Sequence, residues 1–83
     1  MTITLGAHIR QLRESKEIDQ ESVGSALGCS HSAVSQYESG KRELPTEKIK
    51  AVARHLQVDP LDLLEIRLQE LITSTIDQYK RSR

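Results

Sequence analysis

The stretch QESVGSALGCSHSAVSQY, Gln20 to Tyr37, constrains this chain more than any other. Counting from Gln20, apolar residues occupy the fourth and eighth places (Val23, Leu27) and the fifteenth and eighteenth (Val34, Tyr37). Glycines fill the fifth and ninth (Gly24, Gly28). Asp19 can cap a helix whose inner face carries Val23, Ala26 and Leu27, and Gly28 can end it in a left-handed conformation. Ser30 can cap a second helix, Ser30 to Ser39, with Val34 and Tyr37 inward and Gly40 as its stop. Gly24 is small where the two helices must cross closely. No charged residue occupies an inward slot. The spacing predicts two short helices joined by a tight turn, the helix-turn-helix arrangement.

The flanking sequence continues in helices. Leu5, Ile9 and Leu12 recur at helical spacing and predict a first helix from about Leu5 to about Glu17. RELP interrupts, because the residue before Pro45 is pushed out of the helical region. Thr46 opens a fourth helix carrying Ile49, Val52, Ala53 and Leu56. Asp59 caps a fifth, with Pro60 in its first position and Asp62 in its first turn, running to about Tyr79. The basic end YKRSR reads as a solvated tail. No stretch alternates as a strand would. The expected fold is all-α, a compact bundle of five helices with an extended C-terminal helix.

Composition narrows the function. At 83 residues and 36% apolar, with two tyrosines and neither Phe nor Trp, the chain can build one small aliphatic core. Its single cysteine excludes an internal disulfide and fits a reducing compartment. With no signal peptide or membrane span in view, a soluble cytoplasmic protein is expected. Cys29 and His31 are too few for a metal site, and His8 and His55 lack ligand companions at useful spacing. No nucleophile–base pair, phosphate loop or cofactor motif points to an enzyme. No metal, cofactor or small-molecule ligand is expected.

Twelve cations balance twelve anions. Through Arg42, the cations Arg10, Arg13, Lys16, Lys41 and Arg42 face an equal number of acids. Any nucleic-acid surface must therefore come from local arrangement of charge, because neutralising phosphates requires Lys or Arg. The outer face of the third helix carries His31, Ser32, Ser35 and Gln36, polar but uncharged. Such a face suits hydrogen-bond reading; the alternative is a face that is merely solvated.

The segment IRQLRESKEIDQESVGSALGCSHSAVSQYESGKRELP resembles the Cro and phage-repressor (XRE, lambda-repressor-like) helix-turn-helix family, and the resemblance spans roughly Leu5 to Leu64. It departs from the family pattern at Gly24, usually alanine, which should loosen the second helix by about 1 kcal/mol, and at Val23, usually leucine. The resemblance implies double-stranded DNA as partner, with the third helix in the major groove. It implies base-edge contacts from His31, Ser32 and Gln36, with Ser35 a lesser candidate. Gln can pair bidentately with adenine, while Ser and His are versatile partners. It implies phosphate contacts from Gln20, Ser30, Lys41 and Arg42. It also implies a salt bridge between Arg13 and Glu38 that orients the third helix and holds Arg13 near phosphate; two independent surface charges are the alternative. Gly24, Gly28, Val34 and Tyr37 are the structural positions.

The last helix carries more apolar residues than a small core can cover. Leu61, Leu64, Leu68 and Leu71 fall three and four apart, continued weakly by Thr75, and Ile72, Ile76 and Tyr79 form a neighbouring stripe. Folding back onto the bundle is one solution. The expected one is a homodimer through Leu64, Leu68, Leu71, Ile72, Ile76 and Tyr79. Residues 1–64 would then form the DNA-binding domain and residues 65–83 the dimerisation extension. The function this implies is a sequence-specific transcriptional regulator, a repressor on a palindromic operator. The competing class is a protein-interaction module, or an antitoxin-type partner, that works through the C-terminal helix.

Overall fold

Oxygen side chains start most of the helices in this computed structural model, which describes residues 4–81. Thr4 Oγ1 accepts from the Ala7 N–H at 3.1 Å, Asp19 Oδ1 from Ser22 at 2.7 Å, and Ser30 Oγ from Ala33 at 3.2 Å. Asp59 Oδ1 accepts from the Leu61 N–H at 3.0 Å. Each satisfies a donor that the helix itself leaves open. The resulting elements are α1 (Leu5–Ser15), α2 (Gln20–Leu27), α3 (His31–Ser39), α4 (Thr46–Leu56) and α5 (Pro60–Arg81). No strand occurs among the described residues.

The helix ends depart from expectation in an informative way. Gly28 (φ 72°) and Gly40 (φ 84°) are left-handed, as their glycines foretell. Glu17 (φ 57°) and Gln57 (φ 59°) adopt the same conformation without being glycine. At the first, the N–H of Ile18 reaches the Arg13 carbonyl at 3.0 Å; at the second, Val58 N–H reaches Ala53 at 2.9 Å. Both are closed helix ends in which the next apolar residue, Ile18 or Val58, tucks against the core. Helix α1 therefore stops at Ser15, short of Glu17. At the far end α5 stays helical through Arg81, so the expected tail is ordered helix up to that residue, with Ser82 and Arg83 outside the described residues.

The core gathers Leu5 and Ile9 of α1, Val23 and Leu27 of α2, Val34 and Tyr37 of α3, and Ile49, Val52, Ala53 and Leu56 of α4. Leu44, from the α3–α4 connection, and Leu63 of α5 complete it. Ala26, expected on the inner face of α2, is exposed. The inward positions of α2 are Val23, Gly24 and Leu27, which leaves Ala26 on the flank.

Two glycines allow the helices to close on one another. A Cβ on Gly6 would lie 2.1 Å from the Tyr37 carbonyl oxygen and 2.9 Å from that of Glu38, so α1 crosses α3 at backbone contact. A Cβ on Gly24 would stand 2.6 Å from the Cys29 carbonyl oxygen. The helix propensity that glycine forfeits in α2 is thus tied to a close approach that alanine would obstruct.

Beyond its first turns α5 leaves the body. Its one buried residue is Leu63, and the molecule is 45 Å long against 24 and 22 Å across. The radius of gyration, 13.4 Å, exceeds the roughly 12 Å of a compact chain this size.

Candidate nucleic-acid interface

Helix α3 is divided lengthwise. Ala33, Val34, Tyr37 and Glu38 are buried, while His31, Ser32, Ser35 and Gln36 are exposed on the opposite side. Thus the four residues expected to read base edges share one solvent-facing surface.

What holds that surface in place is a charged brace behind it. The Glu38 side chain is only 3% exposed. It accepts from Arg13 Nε at 2.7 Å (Oε2), and from Arg13 Nη2 and Gln20 Nε2, each at 3.1 Å (Oε1). Arg13 Nη1 adds a bond to the Ile18 carbonyl at 2.9 Å. The side-chain hydrogen bond to Glu38 raises the Arg13 pKa above its ordinary value, against a smaller opposing effect of burial. One carboxylate therefore ties α1, the first residue of α2 and α3 together by charge-assisted, two-pronged bonds. The Arg13–Glu38 pairing is present. Arg13 turns its fork toward Glu38 and Ile18 at 12% exposure, which makes it a brace behind α3. Gln20 commits one amide hydrogen to the same brace, a partner the sequence did not disclose.

Around α3 the remaining residues sit at its two ends. Gln20 and His31 line an open cleft of about 270 Å³ together with Asp19 and Glu21. Ser30 caps α3 and keeps its own hydroxyl proton available to donate. Past the other end, Lys41 and Arg42 are exposed. The Arg42 backbone N–H donates to the Gln36 carbonyl at 3.2 Å, and its guanidinium lies 5.3 Å from the Tyr37 ring centroid. A cation over that ring is held without losing its hydrogen-bond donors. Behind the motif, Ser22 Oγ and His55 Nε2 are 2.8 Å apart and join α2 to α4. Gly24, Gly28, Val34 and Tyr37 take the structural places expected of them.

The residues expected to dimerise are on the surface. Leu64 is 37% exposed, and Leu68, Leu71, Ile72, Ile76 and Tyr79 are between 47% and 64% exposed, as is Leu61. Among the described residues no three His, Cys, Asp or Glu side chains are grouped to hold a metal. No helix there is long and apolar enough to cross a membrane.

This architecture agrees with what the chain is similar to. Residues 4–65 match the family described as helix-turn-helix domain, and the chain belongs to it. It is 28% identical over 67 residues to y4wC of Sinorhizobium fredii, described as an uncharacterised HTH-type transcriptional regulator; the match takes in 81% of this chain and 47% of that protein. The chain thus spans about half the length of this curated relative. Among solved structures, the P22 c2 repressor in complex with a synthetic operator superposes with a TM-score of 0.67 at 34% identity, over 75% of this chain and 94% of that one. The restriction–modification controller C.AhdI of Aeromonas hydrophila gives 0.65 at 30% identity, over 71% and 86%. The five-helix fold is that of the phage-repressor domains.

Proposed function

We propose that this protein is a sequence-specific, double-stranded-DNA-binding transcriptional regulator, a repressor that occupies a palindromic operator as a homodimer. The observation that carries the reading is the two-sided α3: four polar, uncharged side chains outward, and a buried carboxylate bolted to two other helices behind. The operator-bound P22 c2 repressor supports placing such a helix in the major groove. His31, Ser32 and Gln36, with Ser35 beside them, face the base edges. Gln20, Ser30, Lys41 and Arg42 approach phosphate. Residues 1–64 carry the DNA contacts and residues 65–83 the dimer contacts, although α5 runs unbroken across that division.

Selection of bound sites from random duplexes, followed by titration of the recovered sequence, tests the reading. Gln36→Ala changes base preference at one position of each half-site. Lys41→Ala weakens all duplexes alike and lowers the salt slope by about one. Binding no tighter than to scrambled duplex overturns the proposal. A second reading, a module that grips a different protein, draws on the exposed apolar stripe of α5. A monomer that binds no selected duplex would favour it.

A further inference from the structure

The charges of α5 are divided between its two sides. Arg67, Glu70, Asp77 and Arg81 are on the side that meets the domain, where all four line a cleft of about 590 Å³ together with Thr4 and Leu5. Arg67 Nη2 donates to the Leu44 carbonyl at 2.8 Å, and Glu70 accepts from the backbone N–H of Leu5. That leaves Asp62, Glu65 and Lys80 to the exposed side. Two of these are acids near the start of the helix, and the third is a cation in its last turn. None of the three enters an ion pair among the described residues.

The apolar stripe runs between these charges. Leu61 and Tyr79 are eighteen residues apart, five turns of about 3.6 residues, so they lie in line along the helix. Asp62 and Lys80 are spaced the same way and therefore share one flank of the stripe. Leu68, Leu71 and Ile72, each 50% to 57% exposed, fall in the middle of both intervals.

A stripe with opposite charges at its two ends gives a direction to pairing with a second copy of itself. In a parallel pair the acids of one copy face the acids of the other, and lysine faces lysine. Both contacts repel. In an antiparallel pair about a two-fold axis near Leu71, like flanks meet with their ends exchanged, so lysine faces acids at both ends. The helix dipoles then oppose, each negative C-terminus beside a positive N-terminus. The leucines and isoleucines cover one another in either direction. The charges decide between them.

We propose that the α5 helices of two copies of this chain pair antiparallel, with Leu68, Leu71 and Ile72 around the two-fold axis and Lys80 of each copy against Asp62 and Glu65 of the other. The inference rests on the homodimer reading above and adds to it the direction of pairing and the residues that fix it. It sets the two domains toward opposite ends of the paired helices. Residue 61 of one copy lies about 30 Å from residue 61 of the other, by the rise of the helix. A parallel pair would bring the same two residues to about 10 Å.

The test uses the full chain. Leu61→Cys in a Cys29→Ser background carries one nitroxide label per copy, and pulsed electron-spin measurements read the label separation in the dimer at micromolar protein. A separation of about 30 Å is expected, and one under about 20 Å overturns the inference. Separately, Lys80→Glu weakens self-association about tenfold, because two surface ion pairs become repulsions. Adding Asp62→Lys and Glu65→Lys to that chain restores association to within about threefold of the parent. Association that Lys80→Glu leaves unchanged, or that the triple variant fails to recover at parental helix content, also overturns it. If the label disperses the dimer, the charge variants decide; if those lose helix content, the label does; failure of both overturns the inference. A parent that is monomeric at micromolar protein overturns the dimer reading and this inference with it. That outcome is read on the parent alone, so the two failures are distinguishable.

Discussion

Helices α3 and α5 each turn a face to solvent, but for opposite reasons. Of the nine residues of α3, four are buried and one of those is a carboxylate with three hydrogen-bonding donors around it. Of the twenty-two residues of α5, only Leu63 is buried. The outer face of α3 is polar, so water costs it little, and the effort of the fold goes into holding it still. The outer face of α5 is aliphatic, so water costs it roughly 25 cal/mol for each Å² left uncovered, and the fold does nothing to hide it. A braced polar face suits reading, whereas an unbraced apolar face suits covering.

The contrast can be broken by substitution, and the largest effect belongs to the braced side. Gly6→Ala places a methyl against the Tyr37 carbonyl, where α1 and α3 must separate to admit it. A loss of about 3 kcal/mol in chemical denaturation is expected, and an unchanged midpoint would show the crossing to be loose. Glu38→Ala strands Arg13 and Gln20 and should cost about 3 kcal/mol in stability, with weaker DNA binding because α3 loses its anchor. Unchanged thermal unfolding and unchanged affinity would reduce the brace to a surface pair.

Smaller changes sharpen the comparison. Gln57→Gly removes a side chain from a left-handed position and should raise the unfolding free energy by up to about 1 kcal/mol, read as a higher denaturation midpoint at constant slope. The smallest effect on the fold is expected from Leu68→Asp with Leu71→Asp: within about 0.5 kcal/mol in samples dilute enough to be monomeric. The same pair of changes should abolish the proposed dimer, with the parent running as a dimer and the variant as a monomer in a size measurement at micromolar protein. A large loss of monomer stability would instead make the stripe part of the core.

Much of the fold was legible because its signals are local. Asp19, Ser30 and Asp59 cap helices where expected, Gly28 and Gly40 end two of them, and Val23, Leu27, Val34 and Tyr37 turn inward. The ends at Glu17 and Gln57 were not legible, because the left-handed turn there is imposed by tertiary fit of Ile18 and Val58 and not announced by a glycine. Leu63 was missed for a related reason. The leucine seam from Leu61 to Leu71 is the more conspicuous pattern, yet its neighbour is the residue that faces the domain.

The sequence by itself determined the five helices, the turn that sets α2 against α3, and the polar row on α3, since caps, glycine and period act over a few residues. Only the tertiary structure decided that Gly6 admits α1 to backbone contact, that Gln20 joins Arg13 on Glu38, and that Arg67 and Glu70 tether α5 to Leu44 and Leu5. Those contacts join residues 18 to 65 positions apart. A periodic pattern reveals which side of a helix is apolar; which neighbour that side meets depends on how all five helices pack at once.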